Sequence, residues 1–287
     1  MRFSFLAVCS VAIVLVSCEK SDPLPYTDPV LRIGNDFEYS FNDFELYDSS
    51  THILYFKKNH PEFDSIKAAP FIFYADTVKI YNGVFWPGYA SSIPSVPFVT
   101  SNPLSYPNYT LRFQCSNLSP SDPRNDLRLI SALSTRNILH TGLSVKINSL
   151  VINGTYVSFS FIVKNNDQDD LLIPDPDKMG INLFHYFTNG LCFFNKDLAQ
   201  KYYCNIDPQS PASWNSWKIE WLSLLKSGDS KLIAINYTLD SPLGTGNYIA
   251  SFDFPGLSHQ ILTDQLFQEN GRIWLGSVSV SKQITVK

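Results

Sequence analysis

The stretch Tyr156-Val157-Ser158-Phe159-Ser160-Phe161-Ile162-Val163 puts large apolar residues at alternate positions and serines between them. A period of two places the apolar set on one face of a strand, toward a core. Lys231-Leu232-Ile233-Ala234-Ile235-Asn236-Tyr237 and Ile273-Trp274-Leu275-Gly276-Ser277-Val278-Ser279-Val280 follow the same pattern. Turn-forming clusters, Ser227-Gly228-Asp229-Ser230 and Leu243-Gly244-Thr245-Gly246-Asn247, punctuate them. Strands at intervals of roughly ten to fifteen residues predict a β-sandwich over residues 142–287.

Upstream, strand-like runs fall at His52–Phe56, Pro70–Tyr74, Val78–Tyr81 and Tyr109–Cys115. Asp122-Pro123 is a helix-initiating pair, because proline suits the first turn. Leu127, Ile130, Leu133 and Ile138 then recur near helical spacing. A shorter helix is expected at Asp264–Glu269. The expected organisation is therefore mainly β: a smaller, β-rich α+β domain over 31–141 that ends in a helix, then the sandwich. Between the early strands, Phe85-Trp86-Pro87-Gly88-Tyr89 through Tyr106-Pro107 is long for a plain connection and reads as a packed or functional loop.

Composition excludes several classes. The 287 residues include 22 Lys and Arg against 26 Asp and Glu, a net charge of −4. Charged residues make up 17% and aromatics 14%. That is too apolar for a disordered chain and neither basic nor charge-clustered as nucleic-acid binders are, so no nucleic-acid partner is expected. Five cysteines are too few for a disulfide scaffold.

The N-terminus reads as a targeting segment. Arg2 precedes an apolar run from Phe3 to Val16, shorter than the roughly 20 residues a membrane-spanning helix needs. The run fits the apolar core of a secretory signal. Leu15-Val16-Ser17-Cys18 resembles a bacterial lipobox. That resemblance implies cleavage between Ser17 and Cys18, diacylglycerol on the Cys18 thiol and acylation of the new amino group. Several acyl chains together give stable anchoring. Residues 1–17 would then be a signal peptide and 18–30 a lipidated cysteine and tether, kept extended by Pro23, Pro25 and Pro29. Loss of Arg2 would take the net charge from −4 to −5.

Glu19, Ser21 and Asp22 resemble the acidic, serine-containing export signals of surface lipoproteins in Bacteroidota. Asp64-Ser65-Ile66 and Asp76-Thr77-Val78 resemble the O-glycosylation tripeptides of that phylum. These resemblances imply an outer-membrane lipoprotein at the cell surface or on the periplasmic face. Leu224-Leu225-Lys226-Ser227-Gly228-Asp229-Ser230, followed after a strand by Gly246-Asn247-Tyr248, resembles a recurrent ending of immunoglobulin-like bacterial modules. It implies an immunoglobulin-like sandwich in which the ring of Tyr248 packs at the edge and its hydroxyl bonds backbone.

Candidate sites are few. Trp86 and Tyr89, on the proline-rich loop, could form a ligand platform. Trp214, Trp217 and Trp221 in SWNSWKIEWLSLL would share one stripe of a helix and could stack on sugar rings, or pack in a core if extended. Asn165 to Asp170 is the densest oxygen cluster, and Asp167, Asp169 and Asp170 are candidate calcium ligands, although calcium wants six to eight oxygens. Cys192 and Cys204 could close a disulfide across a hairpin, or remain free. No nucleophile elbow, phosphate loop or paired-histidine zinc motif is present, and no catalytic residue is named. The expectation is a non-catalytic, membrane-anchored binding, adhesion or accessory protein with a glycan or protein partner. The alternative is a hydrolase of glycans or peptides built on scattered carboxylates.

Overall fold

The structure is a computed structural model that describes residues 28, 30–101, 104, 106–116, 122–188, 190–195, 197–207, 209–213, 216–257 and 261–287. Ser17, Cys18 and Trp214 lie outside these. Strands form 48% of the chain and helices 16%, so the protein is mainly β.

In residues 30–140 two sheets face each other. One has the order β2-β1-β5-β6-β7, with β1 Leu31–Ile33, β2 Phe37–Tyr39, β5 Pro70–Ala75, β6 Val78–Pro87 and β7 Phe98–Ser101. The other has the order β8-β4-β3-β9, with β3 Phe44–Asp48, β4 Ile53–Phe56, β8 Thr110–Arg112 and β9 Leu139–His140. Phe71, Phe73, Phe85, Leu54, Phe56 and Phe113 fill the space between them. Helix α1, Leu127–Thr135, covers this core with Leu129, Ala132 and Leu133. The helix starts later than Asp122-Pro123 implies. Pro123–Asn125 is a single 3-10 turn, and Asp126 caps α1 by accepting the Arg128 N–H. That shift turns Leu127 outward, 82% exposed.

In residues 143–287, seven strands run in the order β10-β11-β16-β14-β13-β17-β20. They are β10 Leu143–Asn153, β11 Tyr156–Asn165, β13 Cys192–Asn195, β14 Gln200–Asn205, β16 Ser230–Leu239, β17 Gly246–Pro255 and β20 Ser277–Val286. The join between β14 and β16 is only two residue pairs wide, Cys204 with Leu239 and Asn205 with Thr238. The sheet folds over at that join. Phe159 and Phe161 of β11 meet Phe252 of β17 at ring-centroid distances of 5.1 and 4.7 Å, though these strands are not neighbours. The alternation that opened the sequence is therefore the inner face of one layer, packed on the other. Tyr248 sits at the rim, and its hydroxyl donates to the Gly244 carbonyl at 2.9 Å.

A fourth sheet, β15-β12-β19-β18, joins the two halves. It comprises β12 Leu171–Pro174, β15 Leu222–Leu225, β18 Phe267–Gln268 and β19 Gly271–Ile273. Ile273, Leu275, Leu172, Leu222 and Leu257 pack on Leu46, Ile53, Tyr55 and Tyr109 of the first half, in one continuous apolar core. Ile273–Val280 is thus two strands in different sheets rather than one. Gly276, at φ 103°, turns the chain between β19 and β20, and a side chain there would lie 2.7 Å from Thr51. The segment expected as a helix at Asp264–Glu269 keeps one turn, α4 (Thr263–Leu266), before β18 takes over. Two helices, α2 Pro176–Met179 and α3 Ile181–Thr188, follow β12 where no helix was expected. Asp175 caps α2, accepting the Asp177 N–H and hydroxyl and ammonium hydrogens from Ser223 and Lys231.

Candidate functional site

The side chains richest in chemistry gather where the halves meet. Arg272, on β19, is 1% exposed, and its Nη2 lies 3.3 Å from Asp48 Oδ2 and 3.2 Å from Asp167 Oδ2. Asp48 ends β3 in the first half, and Asp167 stands in the loop after β11 in the second. His140, at the end of β9, places Nδ1 2.7 Å from Asp167 Oδ1, and its Nε2 lies 3.3 Å from the Gln168 amide nitrogen. With the amide donating to Nε2, the imidazole proton sits on Nδ1 and goes to Asp167. The Gly142 N–H also donates to Asp167 Oδ2, at 3.0 Å.

Asp167 is consequently held by four donors: His140, Arg272 and the backbone N–H groups of Gly142 and Asp169. Burial alone would raise its carboxyl. The His140 hydrogen bond and the Arg272 charge overcome that and hold it at about 2.

The Asn165–Asp170 segment spends its oxygens largely on its own backbone. Asn165 Oδ1 accepts the Asp167 N–H and Asp167 Oδ1 accepts the Asp169 N–H, two successive side-chain turns. Asp170 Oδ1 turns away to accept the Ser227 N–H. The calcium set Asp167, Asp169 and Asp170 therefore does not converge. Asp167 and Asp169 converge with His140 instead.

Trp217 and Trp221 do not share a stripe. Trp221 ends a single 3-10 turn, Ile219–Trp221, and packs on Phe187 beside the sandwich core. Trp217 packs on the separate core between the halves. With no α-helix or strand over 216–221, the two rings serve different cores.

Trp86 is the penultimate residue of β6, and Tyr89 lies in the turn that follows the strand. The Trp86 indole N–H donates to the Ser92 carbonyl at 2.8 Å, which fixes the ring plane. Tyr89 is 72% exposed and Ile93 70%. Residues 80–111 contain no charged residue, a feature readable in the sequence and a sharper signal than the two aromatics alone. β1 and β6 both pair antiparallel with β5, so they run the same way. The chain enters β1 at one end of the sheet, and β6 delivers Trp86 and Tyr89 to the opposite end.

The cysteine pair is corrected by register. Cys192 lies opposite Tyr203, whose side chain is exposed, so the pleat turns the following residue, Cys204, into the core. The two thiols point to opposite faces and are free. Burial pushes Cys204 up to about 12.

No protein-family model, curated protein or solved structure matches the chain. The functional reading therefore rests on the site itself.

A second polar cluster lies in the first half. Burial pushes the Tyr47 phenol up, so it keeps its proton, and its hydroxyl is hydrogen-bonded with His52 Nδ1 at 2.9 Å. Burial, and then the nearby Arg124, push His52 down to about 4. The ring is neutral at pH 7, and Asp122 bonds Arg124 rather than His52. Sequence reading missed Arg272, Asp48, His140 and His52. Each is a single residue in an apolar strand or turn, far in sequence from its partners.

Proposed function

We propose that the chain is an envelope lipoprotein, tethered through Cys18, whose folded part presents a non-catalytic binding surface for a neutral ligand, a glycan by preference. The observation that carries this reading is the aromatic loop. Trp86 and Tyr89 stand at the end of their sheet opposite the point where the tether joins, on a stretch without charge. An exposed tyrosine beside a half-buried tryptophan whose indole N–H is anchored suits apolar sugar faces, and a stretch without charge favours a neutral partner. Among the described residues no helix is long and apolar enough to cross a membrane. The lipid on Cys18 would therefore supply the attachment this reading requires.

The immunoglobulin-like reading of residues 142–287 is supported by the division of its strands into three and four about a common core and by the Tyr248–Gly244 corner bond. A hydrolase would need two carboxylates facing each other across a cleft. The carboxylates this fold gathers, Asp48 and Asp167, are wrapped around Arg272 instead.

The test has two arms. Cys18→Ala should move the protein from the membrane to the soluble fraction, and unchanged partition refutes lipidation. A glycan array probed with residues 19–287 should give neutral-glycan signals that Trp86→Ala and Tyr89→Ala remove. Signals that survive both substitutions refute the platform.

A further inference from the structure

His140 Nδ1 lies 2.7 Å from Asp167 Oδ1 and 3.5 Å from Asp169 Oδ2, and one donor atom from each of the three residues falls within 4.8 Å of the others. The 3.5 Å separation matches the edge, about 3.3–3.6 Å, of a tetrahedron whose donors stand about 2.0–2.2 Å from a common ion, and the 2.7 Å pair, now a hydrogen bond, would open to that edge once the shared proton leaves.

A second observation comes from Arg272. Its Nε is buried, has no hydrogen-bond partner among the described residues, and faces Asp169 Oδ2 from 3.9 Å. That gap is too wide for a hydrogen bond. A buried donor and a carboxylate oxygen therefore converge on the same small region without satisfying each other.

The charge balance points the same way. Asp48, Asp167 and Asp169 bring three negative charges to the junction, and Arg272 brings one positive. The carboxylates therefore outnumber the one guanidinium, and two of the three are fully buried. Uncompensated buried charge is costly.

We propose that His140, Asp167 and Asp169 bind a divalent transition-metal ion of the zinc class. A divalent cation offsets the excess of carboxylate over guanidinium charge. One imidazole nitrogen and two carboxylate oxygens form a mixed donor set that suits zinc rather than calcium. On binding, the imidazole proton moves from Nδ1 to Nε2, and the Nδ1 lone pair goes to the metal. The Nε2–H then donates to Gln168, whose amide turns to present its oxygen. Arg272 and the Gly142 N–H hold Asp167 from the far oxygen. Because His140 belongs to the first half and the two aspartates to the second, the ion clasps the halves together.

The test uses the full chain, stripped with EDTA and titrated with zinc chloride, with binding read by calorimetry and stability by thermal unfolding. One ion per chain and a raised Tm are expected, with no effect of calcium or magnesium at equal concentration. Asp169→Asn removes one of the excess carboxylate charges and no hydrogen bond to Arg272, so the metal-free Tm should not fall below wild type. It should weaken zinc at least about tenfold. His140→Ala should abolish binding. Cobalt in place of zinc should show no thiolate charge-transfer band, because no cysteine takes part. The proposal fails if the wild-type chain shows no saturable zinc binding, if Asp169→Asn binds as tightly as wild type, or if the cobalt spectrum shows thiolate ligation.

Discussion

Arg272 and Asp48 stand 224 residues apart in the chain, and 3.3 Å separates their side chains in the fold. The guanidinium spans from the end of β3 in the first half to the Asp167 loop of the second half. Both carboxylates it touches are fully buried. A buried charge stabilises only while its partner is present, because the desolvation penalty remains when the partner is removed. Arg272→Ala should therefore cost about 3–5 kcal/mol in urea unfolding. Arg272→Met combined with Asp48→Asn should recover part of that loss. If the double variant is as unstable as the single one, the buried charge is not what Arg272 compensates.

Gly142 makes the same junction sensitive to one methyl group. Its φ is 59°, and a Cβ there would stand 2.2 Å from Ser50 Oγ and 2.3 Å from Asp48 Oδ1. The Ser50 hydroxyl itself donates to Asp48 Oδ1 at 2.6 Å, so the obstacle is a bonded pair rather than a free side-chain end. Gly142→Ala should destabilise by at least about 1–2 kcal/mol from backbone conformation alone, with the clash added. A Tm equal to wild type would show that the junction can open without loss.

What could be read from the sequence was what a local period reveals. Tyr156–Val163 and Lys231–Tyr237 sit in β11 and β16 because one strand face alone decides their burial. Ile273–Val280 misled because Gly276 breaks it, and a glycine inside an alternating run does not announce its φ. The α3 helix was hidden because INLFHYFT is apolar nearly all round, which leaves neither period visible. The junction site was illegible for a different reason. Positions 48, 140, 167 and 272 share no spacing, and only the pairing of β3 with β9 and of β12 with β19 brings them together.

His52 gives the pH dependence a defined window. Its folded value is about 4 against an ordinary 6.5. Between those values the unfolded chain binds a proton that the native chain refuses, so stability rises with pH across that interval. The contribution is complete above about 6.5 and is lost as pH falls toward about 4, at no more than about 1.4 kcal/mol per pH unit. Asparagine tolerates the left-handed backbone that His52 adopts at φ 54°. In His52→Asn the slope between pH 6.5 and 4.5 should flatten relative to wild type in urea titrations. Parallel slopes would show that another group governs this range.

The Tyr248 corner can be tested by one oxygen atom. Tyr248 packs its ring in the sandwich core, and its hydroxyl closes the turn onto Gly244. Tyr248→Phe keeps the ring and removes only that bond, so the expected loss is about 1 kcal/mol with an unchanged urea m-value. A much larger loss would mean that the turn itself had come apart.

The free thiols make the last prediction. Cys192 and Cys204 are close in space, and a short loop separates them in sequence, the setting in which an oxidising compartment would form a disulfide. Strand geometry opposes it. A disulfide needs the two Cβ vectors to face each other, and the pleat sends Cys192 to the outer face and Cys204 inward. To pair them, β13 and β14 would have to slip by one residue, which would carry Phe193 out of the core it now fills. Residues 19–287 contain three cysteines, Cys115, Cys192 and Cys204. Denatured without reductant, that chain should titrate three thiols. In the native state Cys204 should react last, since it is buried and its thiol is pushed up to about 12. A single titratable thiol in the denatured, unreduced protein would show that the pair does close and that β13 and β14 adopt the slipped register.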